Sequence, residues 1–147
     1  MVRKNLECDL WSIEQEISKN VYQAIKYSTK EDNMRIIDLA FKWAISNNRK
    51  KVTCIHRKLR HKIFDGLLVD NFKKVSKNYP GTEFQDMHVE EVALRLIQNP
   101  KDLDVIVTTS LYGAIITAIG AGMTGGPNLS AATNYGKDCM LFEEALS

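Results

Sequence analysis

The chain has no apolar run long enough to cross a bilayer, little glycine or proline, and almost no excess of charge of either sign. Its longest apolar stretch, near Ala114 to Ala121, is interrupted by Thr117 and falls far short of a membrane span. Eight glycines and three prolines in 147 residues exclude collagen-like repeats and low-complexity linkers. Twenty Lys and Arg against eighteen Asp and Glu leave a formal charge of +2, too small for the surface as a whole to attract nucleic acid or membrane. The cysteines Cys8, Cys54 and Cys139 are odd in number and far apart, which reads as reduced intracellular thiols rather than a disulfide framework or a metal site. Met1 to Asn20 lacks the apolar core of a secretory signal, and Glu7, Asp9, Glu14 and Glu16 oppose an organelle transit peptide.

What is present describes a globular domain: 44% hydrophobic and 26% charged residues in a chain the length of one domain. The first thirty residues are extended, with a β-rich stretch at Val21 to Ser28 between polar breaks at Lys19-Asn20 and Thr29-Lys30. Thr29 and Asp32 then form a capping-box analogue, and Met34, Ile37, Phe41 and Ala44 recur at helical spacing until Asn47-Asn48. Val52 to Ile55 reads as a buried strand. Leu68, Phe72, Val75 and Tyr79 stripe a helix over Asp65 to Tyr79 that Pro80-Gly81 stops. Glu83 to His88 reads as a strand, and Val89, Val92, Ala93, Leu96 and Ile97 as one face of a helix ending before Pro100. The β-branched run Val105 to Val107 predicts a central parallel strand, and the all-round apolar Tyr112 to Met123 a helix buried between layers. Alternating strands and helices mean an α/β fold with a mostly parallel sheet.

Few residues advertise chemistry by spacing alone. Gly120 to Gly125 matches G-x-G-x-x-G, with Glu143 beyond it, yet it follows a helical run and leads to Pro127, so it reads as a glycine-rich helix exit. Arg49, Lys50, Lys51, Arg57, Lys58, Arg60 and Lys62 gather seven basic residues in fourteen positions. Such a cluster suits a polyanion, but a strand interrupts it and no aromatic is interleaved to stack bases. A solvated rim is the simpler reading. His88 has no second ligand at metal spacing and reads as a strand-end side chain. Asp102 and Asp104 read as loop carboxylates with helix-capping duties. No nucleophile, base and orienter can be grouped.

Several stretches in order resemble the NAD-dependent isocitrate dehydrogenases, within the wider isocitrate/isopropylmalate dehydrogenase family. Asn48 to His56 resembles the strand leading to the family's catalytic lysine. Leu96 to Pro100, Leu103 to Val107 and Leu111-Tyr112-Gly113 resemble the segment that closes its metal site. Ala121 to Leu129, Asn134-Tyr135-Gly136 and Leu141-Phe142-Glu143 are similar to its regulatory β and γ subunits. The resemblance implies a partial α/β dehydrogenase-like fold over residues 1–147, a mostly parallel sheet flanked by helices. Small-domain strands and the first helix would span about 1–50 and the α/β portion about 51–147.

By the same resemblance Arg3 falls on an arginine that holds substrate carboxylates, with Asn5 beside it, and Arg57 falls on the catalytic lysine. These three are the candidate anion-binding residues. The family's proton-donating tyrosine falls on Leu10, and its three metal-binding aspartates on Glu90, Ala114 and Ala118, leaving Glu90 as the lone carboxylate. The resemblance therefore implies no catalytic residue, no metal site and, with the adenine-gripping loop falling beyond Ser147, no NAD site for this chain, although the family uses NAD and Mg2+ or Mn2+. The expected function is that of a catalytically inactive subunit relative in tricarboxylic acid cycle chemistry, forming a homodimer or a heterodimer with isocitrate dehydrogenase subunits, or binding citrate or isocitrate. Residual activity inside a hetero-oligomer and basic-patch binding are the alternatives; membrane is excluded and nucleic acid disfavoured. The family points to the mitochondrial matrix, while the missing transit-peptide pattern leaves the cytoplasm open.

Overall fold

A computed structural model describes residues 1–5 and 13–145. The strands are β1 (Val2–Arg3), β2 (Ile13–Ser18), β3 (Val21–Ile25), β4 (Lys51–His56), β5 (Glu83–His88), β6 (Val105–Thr108), β7 (Ala131–Tyr135) and β8 (Met140–Glu144). The helices are α1 (Lys30–Ser46), α2 (Phe64–Val75), α3 (Val89–Gln98) and α4 (Ser110–Met123). Among the described residues, β1, β6, β4 and β5 form one parallel sheet in that order, and β2–β3 and β7–β8 are antiparallel ribbons. No described helix is long and apolar enough to cross a membrane.

Residues 1–113 form one compact unit and 114–147 another. In the first, β4 lies between β5 and β6, so Val52 to His56 are all buried, which explains the unbroken apolar run expected there. Because side chains alternate along a strand, Val52 and Cys54 share a face with Val105 and Val107 of β6 and pack under α1 and α2. Phe41, at the centre, stacks on Phe72 with ring centroids 5.6 Å apart and lies parallel to Tyr79 at 4.9 Å. Tyr79 is the last residue of the predicted α2 stripe, and it reaches this core through the single 3-10 turn Ser76–Asn78 that follows the helix. Helix α1 starts as expected: the Thr29 hydroxyl accepts from the Asp32 N–H at 3.3 Å.

The extended amino-terminal region resolves into a hairpin. The break at Lys19-Asn20 is its turn, with Asn20 at φ 63°, a left-handed conformation that asparagine tolerates. Ile13 pairs with Ile25, the register shifts between Glu16 and Ser18, and Ile13, Ile17, Val21 and Ile25 are all exposed on the hairpin. In the second unit β7–β8 forms a ribbon whose Ala145 N–H returns to the Ser130 carbonyl at 2.9 Å.

Two expectations are corrected. Helix α4 is not buried between layers: Leu111, Ile115 and Met123 are exposed, while Ile116 and Ala121 are buried. Its apolar content signalled hydrophobicity in every direction and so could not say which directions are covered. Helix α3 ends before Pro100 as expected, with Val92 buried and Ile97 68% exposed. Asp104 caps no helix; its carboxylate accepts from the Lys50 and Lys51 N–H groups at 2.8 and 3.3 Å and pairs with Arg49, pinning the start of β4.

Candidate functional site

In a parallel sheet every strand ends on the same edge, and the register aligns those ends: His56 opposes His88, and Arg3 opposes Thr108. From β4 the chain proceeds to β5 on one side and then crosses to β6 on the other. The switch point lies between β4 and β6, where open α/β sheets form a ligand crevice outside the strands' carboxyl ends. Arg57 follows β4 directly, and Thr109 to Gly113 follow β6 into α4.

Asp65, in the first turn of α2, organises this crevice. Its side chain is fully buried, and its Oδ2 accepts from the Arg57 backbone N–H at 2.6 Å and from the Tyr112 hydroxyl at 3.0 Å. The loop after β4 and the start of α4 thereby hang on one carboxylate. Burial, and then the nearby Asp65 charge and hydrogen bond, push the Tyr112 phenol well above its ordinary range, so it stays a neutral donor. Asp65 Oδ1 and the Ser110 hydroxyl, both buried, have no hydrogen-bond partner among the described residues.

The candidate anion-binding residues sit on two sides of this arrangement. Arg57 Nε donates to Glu90 Oε1 at 2.6 Å across from the first turn of α3. The Glu90 carboxyl is held below its usual range, first by its own backbone N–H and then by Arg57. Arg3 Nε donates to Asn5 Oδ1 at 2.9 Å. The Arg3 stem lies against Gly113, where an added Cβ would meet its Cγ and Cδ at 2.8 Å. Arg3 is thus joined to Asn5, and Arg57 to Glu90, while Tyr112 and Gly113 connect the two pairs. Ala114 and Ala118 are exposed on α4 and bring no oxygen. Leu10 and Cys8 lie outside the described residues. Asp65 carried no pattern of its own beyond an acid in a first helical turn, and Ser110 none at all.

The basic cluster is divided. Five residues of β4, Val52 to His56, lie between Lys51 and Arg57 and set the two groups about 20 Å apart along extended chain. Arg49, Arg57 and Lys58 each pair with an acid from another element. Gly120 to Gly125 is the exit of α4, with Gly125 at φ 105° and Gly126 at φ 111°, not a strand-to-helix phosphate turn.

His56 is a positioning group rather than a base. Its Nδ1 accepts from the Lys58 N–H at 3.1 Å, so the ring proton sits on Nε2 and is donated to Asp86 at 3.1 Å. Neither nitrogen is spare. His88, at the end of β5 as expected, meets the His56 ring edge-on at 4.8 Å. Burial pushes the Asp86 carboxyl up, but His56 and Lys73 outweigh it and hold it below the usual carboxylate range. A depressed carboxylate stabilises the fold above the ordinary carboxylate range and ceases to do so as pH falls through its folded value. Thermal melts from pH 7 to pH 3 are therefore expected to show Asp86→Asn less stable at neutrality but losing less stability below about pH 4. Parallel acid limbs for the two proteins would contradict this.

Fold and site together define an open parallel α/β domain with a polar, arginine-bearing strand-end edge at its switch point. The profile of the isocitrate/isopropylmalate dehydrogenase family matches residues 1–146, and the chain belongs to that family. It is 38% identical over 145 residues to the human mitochondrial isocitrate dehydrogenase [NAD] subunit gamma, covering 99% of this chain and 37% of that one. To subunit 1 of the mitochondrial NAD enzyme of Ajellomyces capsulatus it is 37% identical over 143 residues, covering 97% and 37%. The isocitrate dehydrogenase crystal structure from Methylococcus capsulatus superposes with a TM-score of 0.94 at 35% identity, covering 97% of this chain and 43% of that chain. The chain thus spans about two fifths of the length of these relatives.

The divalent metal implied by the resemblance does not fit the residues present. Among the described residues no three His, Cys, Asp or Glu side chains are grouped to hold an ion. Glu90 is already engaged by a guanidinium, and the first turn of α4 carries no acid. Magnesium seeks an octahedron of oxygens, usually with carboxylates among them.

Proposed function

We propose that this chain is a non-catalytic relative of the regulatory-type NAD isocitrate dehydrogenase subunits of the tricarboxylic acid cycle. In this reading it binds a citrate- or isocitrate-like polycarboxylate at Arg3 and Asn5 and pairs with a full-length subunit in the mitochondrial matrix. The Arg57–Glu90 ion pair carries it. Where the resemblance calls for a lysine that moves a proton and a carboxylate that holds a metal, a guanidinium with pKa above about 12 is bonded to the one remaining acid. A positioned acid contributes about 10²- to 10⁴-fold and a metal several kcal/mol at a developing enolate, so either loss is enough to stop turnover. NAD is not proposed as a ligand, since the glycine-rich run is a helix exit.

Pairing draws support from the hairpin. A two-stranded ribbon is marginal in water, and β2–β3 exposes Ile13, Ile17, Val21 and Ile25, apolar surface that a partner would cover. Co-expression with a full-length subunit is expected to give co-elution in size-exclusion chromatography, and Ile17→Glu to abolish it while shifting stability by no more than about 0.5 kcal/mol. Isocitrate and NAD are expected to yield no NADH with the chain alone. NADH formed by the isolated chain, or a chain that ignores both citrate and the full-length subunit, would overturn the proposal.

A further inference from the structure

We infer that His56 is a proton-operated fastening for the loop between β4 and α2, which loosens at Lys58 when the ring takes a second proton from solvent. The inference is independent of the polycarboxylate reading. Geometry fixes the tautomer. A backbone N–H can only donate, so the Lys58 N–H at 3.1 Å makes Nδ1 an acceptor, and the proton of the neutral ring lies on Nε2, 3.1 Å from Asp86 Oδ2. Neutral His56 therefore joins the loop to β5. The imidazolium carries an N–H on both nitrogens. Asp86 accepts from Nε2 in either charge state, but Nδ1–H then faces the Lys58 N–H donor to donor, and that bond is lost. Burial of the ring and its edge-on contact with His88 at 4.8 Å keep it from turning away.

Two successive amides hold the start of this loop, the Arg57 N–H on the Asp65 carboxylate and the Lys58 N–H on His56. Only the second ends on a ring that changes charge. Beyond them residues 59–63 are exposed, in a turn that the Arg60 and His61 N–H groups close on the Arg57 carbonyl at 2.9 and 3.0 Å. With the Lys58 bond gone the loop pivots at Arg57, whose backbone stays on Asp65. The exposed pair of Lys58 Nζ with Asp70 at 3.4 Å is a weak substitute for it. The charged groups around the ring come from several elements. Strand β5 brings Asp86 and His88, α2 brings Lys73 to Asp86 Oδ1 at 3.3 Å, and Glu90 of α3 is engaged by Arg57. Strand β6 has no titratable side chain over Val105–Thr108, and α1 packs toward β4 with Ile37, Phe41 and Ala44.

An NMR titration of the full chain from about pH 8 to pH 5, the span in which imidazoles ordinarily change charge, tests this. It follows the His56 and His88 ring nitrogens together with the backbone amides. Corrected for the intrinsic effect of pH, protection of the Lys58 amide from solvent exchange is expected to fall about ten-fold as His56 Nδ1 gains its proton, the scale of one net hydrogen bond. The Arg57 amide, on Asp65, is expected to keep its protection. His56→Asn, whose side-chain oxygen can accept at every pH, is expected to leave Lys58 protected down to pH 5, with circular dichroism checking the fold. Asp86→Asn withdraws the carboxylate from the charged ring and is expected to move the Lys58 transition about 1 pH unit lower without removing it. A Lys58 amide indifferent to His56 protonation, a transition that follows His88 instead, or a His56 ring that stays neutral until the domain unfolds would overturn the inference.

Discussion

Phe72→Ala is expected to cost about 3–5 kcal/mol and, in a domain whose total stability is about 5–15 kcal/mol, to leave much of the population unfolded at 37 °C. Phe72 is fully buried between α1 and the sheet. It stacks on Phe41 and meets the Phe84 ring edge-on at 6.1 Å, so truncation opens a cavity that three elements border. Rigid strands and helices collapse into such a gap only in part. Phe72→Leu keeps most of the buried surface and forfeits mainly the ring pairings, worth about 0.5–1.5 kcal/mol each. Urea denaturation of the three proteins measures the series. An alanine variant within 1 kcal/mol of the parent would mean that this aromatic stack is not the centre of the core.

Gly113→Ala is expected to damage the site and spare the fold. A methyl group there would meet Arg3 Cγ and Cδ at 2.8 Å and Cβ at 3.0 Å. Because Cβ is among these atoms, rotating the end of the side chain brings no relief, and the whole stem must shift with β1. Alanine is also the better helix former, by about 1 kcal/mol, which offsets the local strain in the melting temperature. Citrate affinity is expected to fall at least about ten-fold, or about 1.4 kcal/mol, while the melting temperature changes little. Unchanged affinity would show that Arg3 does not bind the ligand from its position over Gly113.

Much of the architecture was legible because it is written at short range. Val52 to Ile55, Glu83 to His88 and Val105 to Val107 are strands bounded by their own breakers, and Thr29 with Asp32 marks the start of α1 at the residue where the helix begins. The pairing of β1 with β6 was not legible. It joins a strand of two residues to one about a hundred positions later, and no periodicity exists over two residues. The site was legible only in part. Arg3, Asn5, Arg57 and Glu90 were named through resemblance, but that Arg57 and Glu90 satisfy each other depends on how β4 and α3 meet in space. Asp65 gave even less sign. A buried acid that holds two segments at once looks, in sequence, like any acid at the start of a helix.

The brevity of β1 has its own consequence. Val2 and Arg3 are held by two ladder positions, and Lys4 adds its N–H to the Thr108 carbonyl at 3.1 Å and its buried ammonium to Asn33 Oδ1 at 3.2 Å. Among the described residues β1 pairs with β6, so it has no ladder partner in the sheet until β6, about a hundred residues further along, has formed. Opening of this short strand ahead of the rest of the domain would have to break the Lys4–Asn33 bond as well as the ladder, and would carry Arg3 with it. An occupied crevice would act as a latch on this arm, and amide exchange at Arg3 and Lys4 would report occupancy that the melting of the whole domain registers only weakly.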